Sequence, residues 1–134
     1  MHVVRGSITP AQHEILRAVW QAGAAGATVA EIWKTIAATR RVGRTTILNL
    51  VDRLEKRGWL VRLEGDGVSR YRSALGHEET AARLAAEFVD GFFAGSAANL
   101  MASLLGRGKI KTGEVKRLRA FLDETEKERK GGAQ

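Results

Sequence analysis

The spacing of apolar residues along this chain changes once, after Gly58, and that change constrains the fold more than any other feature. Upstream of it, three segments carry helical spacing. Thr9-Pro10-Ala11-Gln12 reads as a helix start: threonine caps, proline suits the first helical position, and glutamine three residues on completes a capping box. Ile15, Val19 and Ala22 follow on one face, widened by Leu16 and Trp20, until Gly23 and Gly26 bracket a short turn. Thr28-Val29-Ala30-Glu31 is a second capping box, and Val29, Ile32, Trp33 and Ile36 share one face of the second helix. A third helix is predicted from Arg44 or Thr45, with Ile47, Leu50, Val51 and Leu54 inward and Gly58 ending it.

After Gly58 the period is that of a strand. Trp59 to Glu64 is one short strand, Gly65-Asp66-Gly67 a turn, and Val68 to Arg72 its partner. Three short helices followed by a hairpin is the order of a winged helix-turn-helix. The fold class is therefore mainly α with a small β-hairpin wing. Helical spacing then returns over Glu78 to Gly95, with Ala81, Leu84, Ala85, Phe88, Val89, Phe92 and Phe93 on the apolar side. A shorter segment carries Leu100, Met101, Leu104 and Leu105. After the break at Gly106-Arg107-Gly108, Thr112 is placed to cap a last helix with Val115, Leu118, Phe121 and Leu122 inward. The organisation expected is a winged-helix domain over 1–74, a second helical region over 75–129 and a flexible tail over 130–134, with fraying from about Glu124.

Composition narrows the function classes. The chain has 134 residues, a formal net charge of +7 and no cysteine. Such a balance favours a polyanion. The missing thiols remove a disulfide scaffold, a thiolate zinc site and a cysteine nucleophile together. His2, His13 and His77 are scattered, so no metal site is expected. No nucleophile motif, phosphate loop or carboxylate pair marks a catalytic centre, and no cofactor is implied. The stretch Phe92 to Gly106 is too short to cross a bilayer, and Met1 to Pro10 lacks the apolar run of a secretory signal. The expectation is a cytoplasmic protein with no membrane partner.

Ten of the cations fall between Lys34 and Arg72, against four acids, which accounts for most of the net charge. A charge run is usually a solvated face, but these cations flank one helix and its hairpin. With the apolar stripe of the third helix turned inward, Thr45, Thr46, Leu48, Asn49, Asp52 and Arg53 lie on the opposite side. A helix fits the major groove, where Asn, Thr and Arg address base edges. Arg40, Arg41 and Arg44 are candidate phosphate contacts beside it, and Arg70 and Arg72 alternate outward on the wing, away from Tyr71. Leu48 either meets a thymine methyl or packs half-buried against the second helix.

In that order and spacing, several pieces resemble the penicillinase-repressor family, the BlaI/MecI group, with the copper-responsive CopY repressors as relatives. They are Ile8-Thr9, Thr28 to Ile32, Thr45-Thr46-Ile47, Arg53 to Gly58 and Arg70-Tyr71-Arg72, and the likeness covers roughly residues 8–124. The resemblance implies a homodimer on a pseudo-palindromic double-stranded operator, repressing transcription until a signal removes it. It puts Thr45, Thr46, Leu48 and Asn49 in the base-facing part of the recognition helix, with Leu48 where relatives often carry a polar or basic residue. It also implies a dimerisation arm over Gly91 to Leu122, including Phe93 to Ser96. In the β-lactam-responsive members a regulatory protease cuts an Asn-Phe bond in the arm, and the matching positions are Ser103-Leu104. The copper-responsive relatives sense through C-terminal cysteines, which this chain lacks.

The apolar stripe after the wing supports the same dimer on physical grounds. A lone helix pair cannot bury apolar positions on both its sides, whereas two arms across a two-fold axis can. The expected seam is Leu84, Phe88, Phe92, Leu100, Leu104, Leu118 and Leu122. Two other readings stand beside the sequence-specific repressor: a non-specific architectural DNA binder, and a winged-helix module for protein partners. Asn49, Thr45 and Arg53 on the open face favour the repressor over the protein module.

Overall fold

The computed structural model describes residues 3–65 and 67–132. His2, Asp66 of the expected turn, and the last two residues of the expected tail lie outside them. In chain order the elements are α1 (Pro10–Ala22), a 3-10 turn (Gly23–Ala25), α2 (Val29–Ala37), α3 (Arg44–Lys56), β1 (Leu60–Leu63), β2 (Arg70–Ser73), α4 (His77–Phe92), α5 (Ala97–Gly106) and α6 (Thr112–Gly132). The chain divides into two compact units, Met1–Glu87 and Phe88–Gln134.

Both capping boxes form. The Thr9 hydroxyl accepts from the Gln12 amide at 3.2 Å while the Gln12 side chain accepts from the Thr9 amide at 2.9 Å. Thr28 and Glu31 repeat this at 3.1 and 2.9 Å. Each box satisfies two of the amides that a helix start leaves without partners. Helix α3 ends as Gly58 requires: at φ +83° the glycine reverses the chain, and the Trp59 amide donates back to the Leu54 carbonyl at 2.9 Å.

In the first unit, Ile15, Leu16 and Val19 of α1, Ile32 and Ile36 of α2, and Ile47, Val51 and Leu54 of α3 close one core with Trp59, Leu60 and Tyr71. Ala22, the last residue of the expected α1 stripe, is exposed. The hairpin pairs antiparallel, with Leu60 opposite Ser73 and Leu63 opposite Arg70. Its strands are shorter than expected, because Trp59 turns into the core before β1 begins and Val68 stays exposed ahead of β2. Ala27 adds a rung on the other edge of β2: its amide donates to the Tyr71 carbonyl at 3.0 Å, and its carbonyl accepts the Tyr71 amide at 2.8 Å. Gly26 makes this approach feasible. It sits at φ +76°, and a Cβ there would stand 2.8 Å from the Tyr71 carbonyl oxygen. Gly26→Ala is expected to cost about 1–3 kcal/mol through backbone strain alone, read by denaturant unfolding. A cost near zero would mean that the hairpin does not depend on this rung.

Each tryptophan ties down a connection. Trp20 donates its indole N–H to the Leu75 carbonyl (3.1 Å), Trp33 to that of Val42 (2.8 Å) and Trp59 to that of Arg5 (3.1 Å). The N-terminal segment is further held by Arg57, which donates to the carbonyls of Arg5 and Ser7, and by the buried side chain of Val4.

The unit boundary falls within α4, later than the 74/75 division expected from the return of helical spacing. The first turns of α4 belong to the winged-helix unit because Thr80 is fully buried there. Arg83 also lies 5.3 Å over the Trp59 ring and donates to the Val4 carbonyl at 2.9 Å. Thr112 is the first helical residue of α6 rather than its cap, and α6 continues to Gly132, past the point where its charged, Gly-rich end suggested fraying.

Candidate nucleic-acid interface

The outward side of α3 follows from its inward one. With Ile47, Val51 and Leu54 buried, Arg44, Thr45, Thr46, Leu48, Asn49 and Arg53 are all exposed. Leu48 is 51% exposed, which removes the reading of it as half-buried against α2. An apolar side chain that open, between threonines and an asparagine, suits a thymine methyl group. Arg44, in the first turn of α3, lies 4.5 Å over the Trp33 ring, so the same indole that anchors the α2–α3 turn also directs this guanidinium.

The ten cations of residues 34–72 separate into two groups. Glu14 of α1 holds Arg40 at 2.8 Å, engaging both Nε and Nη2, and this keeps the Arg40 guanidinium charged beyond its ordinary range. Glu55 holds Arg62 at 3.0 Å, Asp52 holds Lys56 at 2.9 Å, and Arg57 is engaged by carbonyls of the N-terminal segment. Arg70 meets Glu31 at 2.9 Å. Glu31 is the carboxylate of the second capping box; the Thr28 amide and hydroxyl, then Arg70, hold its carboxyl below the usual range, so it is ionised at neutral pH. Arg41, Arg44, Arg53 and Arg72 have no carboxylate within ion-pair distance among the described residues, and neither does Lys34.

Of the residues expected at the interface, Thr45, Thr46, Leu48, Asn49 and Arg53 therefore share the open face of one helix, with Arg44 at its start and Arg41 just before it. Arg72 stands exposed on β2, opposite in facing to the buried Tyr71. Arg40 and Arg70 are exposed but already engaged by glutamates, so a phosphate would have to compete for them. Sequence reasoning missed the residues that do this sorting: Glu14, Glu31, Glu55 and Trp33. Only Glu31 had a signal, as part of a capping box, and that signal said nothing of Arg70.

In the second unit the apolar side chains have no interior to enter. Among its described residues none is buried, although α5 and α6 carry leucine, methionine and phenylalanine. Phe88, Phe92 and Phe93 form one ring cluster, Phe88 lying 4.9 Å from Phe92 and 5.8 Å from Phe93. Phe92 is 76% and Leu122 67% exposed, while Leu100, Leu104 and Leu118 are half-covered. Leu84 lies on the other side of the unit boundary. The Ser103–Leu104 bond lies inside α5, in helical backbone. Among the described residues no single helix is long and apolar enough to cross a membrane, and no three His, Cys, Asp or Glu cluster as metal ligands would.

Two solved structures align with most of the chain. The reduced form of MarR from E. coli is 21% identical over 88% of this chain and 77% of that one, with a TM-score of 0.47. A MarR family protein from Bacillus stearothermophilus is 22% identical over 92% and 76%, with a TM-score of 0.46. No curated protein matches the sequence significantly. The family model described as penicillinase repressor matches residues 8–124, from the cap of α1 well into α6. With that match running through the winged helix and the helices beyond it, the chain belongs to the penicillinase repressor family and is a DNA-binding transcriptional repressor rather than an enzyme.

Proposed function

We propose that the protein represses transcription as a homodimer that recognises a pseudo-palindromic operator, reading bases with the open face of α3. The observation that carries this is the composition of that face. Thr45, Thr46, Leu48 and Asn49 offer hydrogen-bonding groups and one apolar contact, while Arg41, Arg44 and Arg53 around them have no competing carboxylate among the described residues. In the major groove such a helix reads base edges while the flanking guanidinium groups meet phosphates and set its register. Arg72 on the wing extends the phosphate contacts. The homodimer rests on the second unit, whose apolar side chains lack an interior within one chain.

Selection of bound sequences from a random duplex pool tests the reading directly. A two-fold motif with half-sites about one helical turn apart is the expected result; enrichment of no motif would make the protein a non-specific DNA binder instead. Asn49→Ala should lower the preference for cognate over random duplex by about 1–3 kcal/mol. Arg72→Ala, in contrast, should weaken binding to all duplexes alike and reduce the salt slope by about one. If Asn49→Ala weakens every sequence equally, Asn49 positions the helix and does not read a base. Release through cleavage at Ser103–Leu104 would first require that turn of α5 to open.

A further inference from the structure

The excess of cations in residues 34–72 has a counterpart in the second unit. Arg107, Lys109, Lys111, Lys116, Arg117 and Arg119 fall within the turn between α5 and α6 and the first half of α6, with Glu114 as the one acid among them. All six are exposed. None has a carboxylate within ion-pair distance among the described residues, whereas the first unit pairs Glu14, Glu31, Asp52, Glu55 and Glu87 each with a cation. Arg117 lies 5.4 Å over the Phe121 ring, and the other five side chains point into solvent.

Folding of α6 does not account for this arrangement. The N-terminal end of a helix carries partial positive charge, so Lys111 just before it and Lys116 and Arg117 in its second turn sit at the unfavourable end. The C-terminal end is arranged the usual way, with Arg129 and Lys130 in the last turn. Nor does the cluster form the polar back of an apolar seam with mixed charges, as residues 123–130 do with four acids and three cations. Lys116 and Arg119, three residues apart, lie on one flank of α6 beside the stripe of Val115, Leu118 and Leu122. Unneutralised like charge at this density repels itself, and a polyanion relieves that repulsion.

We propose that the segment from Arg107 to Arg119 is a second DNA-contacting surface, which binds the phosphate backbone of duplex DNA without reading bases. DNA is the polyanion that the family already brings to the protein, and a run of exposed cations with no asparagine, glutamine or threonine other than Thr112 among them suits phosphate rather than base contact. The inference rests on DNA binding by the family and on neither the dimer nor the operator. The segment adds affinity and salt dependence, and leaves sequence preference to α3.

The test is the full chain carrying R107Q, K109Q, K116Q and R119Q together, which spares the stacked Arg117 and the residue next to the α6 start. Affinity is measured against salt on a cognate duplex and on a random duplex of equal length. The slope of log affinity against log salt should flatten by about 0.9 for each phosphate that is no longer neutralised, or roughly 2–4 in all, on both duplexes. The ratio between the two duplexes should stay as in the wild type. A fourfold variant with the charges kept (R107K, K109R, K116R and R119K) should keep the wild-type slope, and sedimentation should give both variants the wild-type mass. An unchanged slope in the glutamine variant overturns the proposal. So does loss of binding to phosphatidylserine vesicles with DNA binding intact, which would assign the cluster to an anionic membrane surface. If the random-pool selection yields no motif, the slope on the random duplex still decides this inference.

Discussion

Trp59→Ala is expected to lower the unfolding free energy of the winged-helix unit by about 3–5 kcal/mol, the range for truncating a buried aromatic side chain. Trp59 is fully buried, and three separate parts of the unit depend on it. Its indole N–H holds the Arg5 carbonyl of the N-terminal segment, and its ring carries the Arg83 guanidinium of α4. Its backbone accepts the Ala74 amide at the far end of the hairpin at 2.9 Å. Truncation removes the ring and the first two of these ties together. Against a total stability of about 5–15 kcal/mol for a typical domain, such a loss leaves the unit near its folding threshold. Urea unfolding of the wild type and variant measures it. A loss below about 1 kcal/mol would mean that the surrounding residues collapse into the space, contrary to the ties described.

Phe88→Asp should turn the proposed dimer into monomers, seen as halving of the mass in sedimentation. Phe88 is 47% exposed and stands at the centre of the ring cluster with Phe92 and Phe93. In a seam across a two-fold axis each copy would present its own aspartate, so two carboxylates enter one apolar surface without partners. Desolvation and like charge then both oppose association. Operator affinity should fall by roughly 10²–10⁴-fold, because the second half-site no longer gains from the first. Circular dichroism should change little, since Phe88 is not part of a buried core within one chain. A variant that sediments as a dimer would put the seam elsewhere, and Leu118 and Leu122 would then be the next positions to change.

Local elements were legible wherever neighbouring residues decide them. Thr9 and Gln12, like Thr28 and Glu31, cap a helix start through contacts within four residues, and Gly58 ends α3 through its own φ. The change of period after Gly58 placed the hairpin, and the stripe of Ile47, Val51 and Leu54 decided which way α3 faces. Its opposite face followed from that alone. The cations were less legible, because a count by position cannot tell a guanidinium facing a glutamate from one facing water. Arg40 is paired with Glu14, twenty-six positions away, and Arg70 with Glu31, thirty-nine away. The division within α4 was hidden for a similar reason, since helical spacing runs through Thr80, Arg83 and Phe88 without a break.

By itself, then, the sequence determined the order of three helices, the first two with capping boxes, and of a hairpin, together with the inward stripe of α3, all of which depend on spacing and short-range geometry, while its charge favoured a polyanion. Only the tertiary structure decided which of the cations beside α3 remain without a carboxylate and where the winged-helix unit ends within α4. It alone also revealed that Trp20 and Trp59 each secure a carbonyl more than fifty residues away. Those outcomes depend on groups brought together by packing, and the energy of an ion pair or a buried N–H is set by what stands opposite it in space.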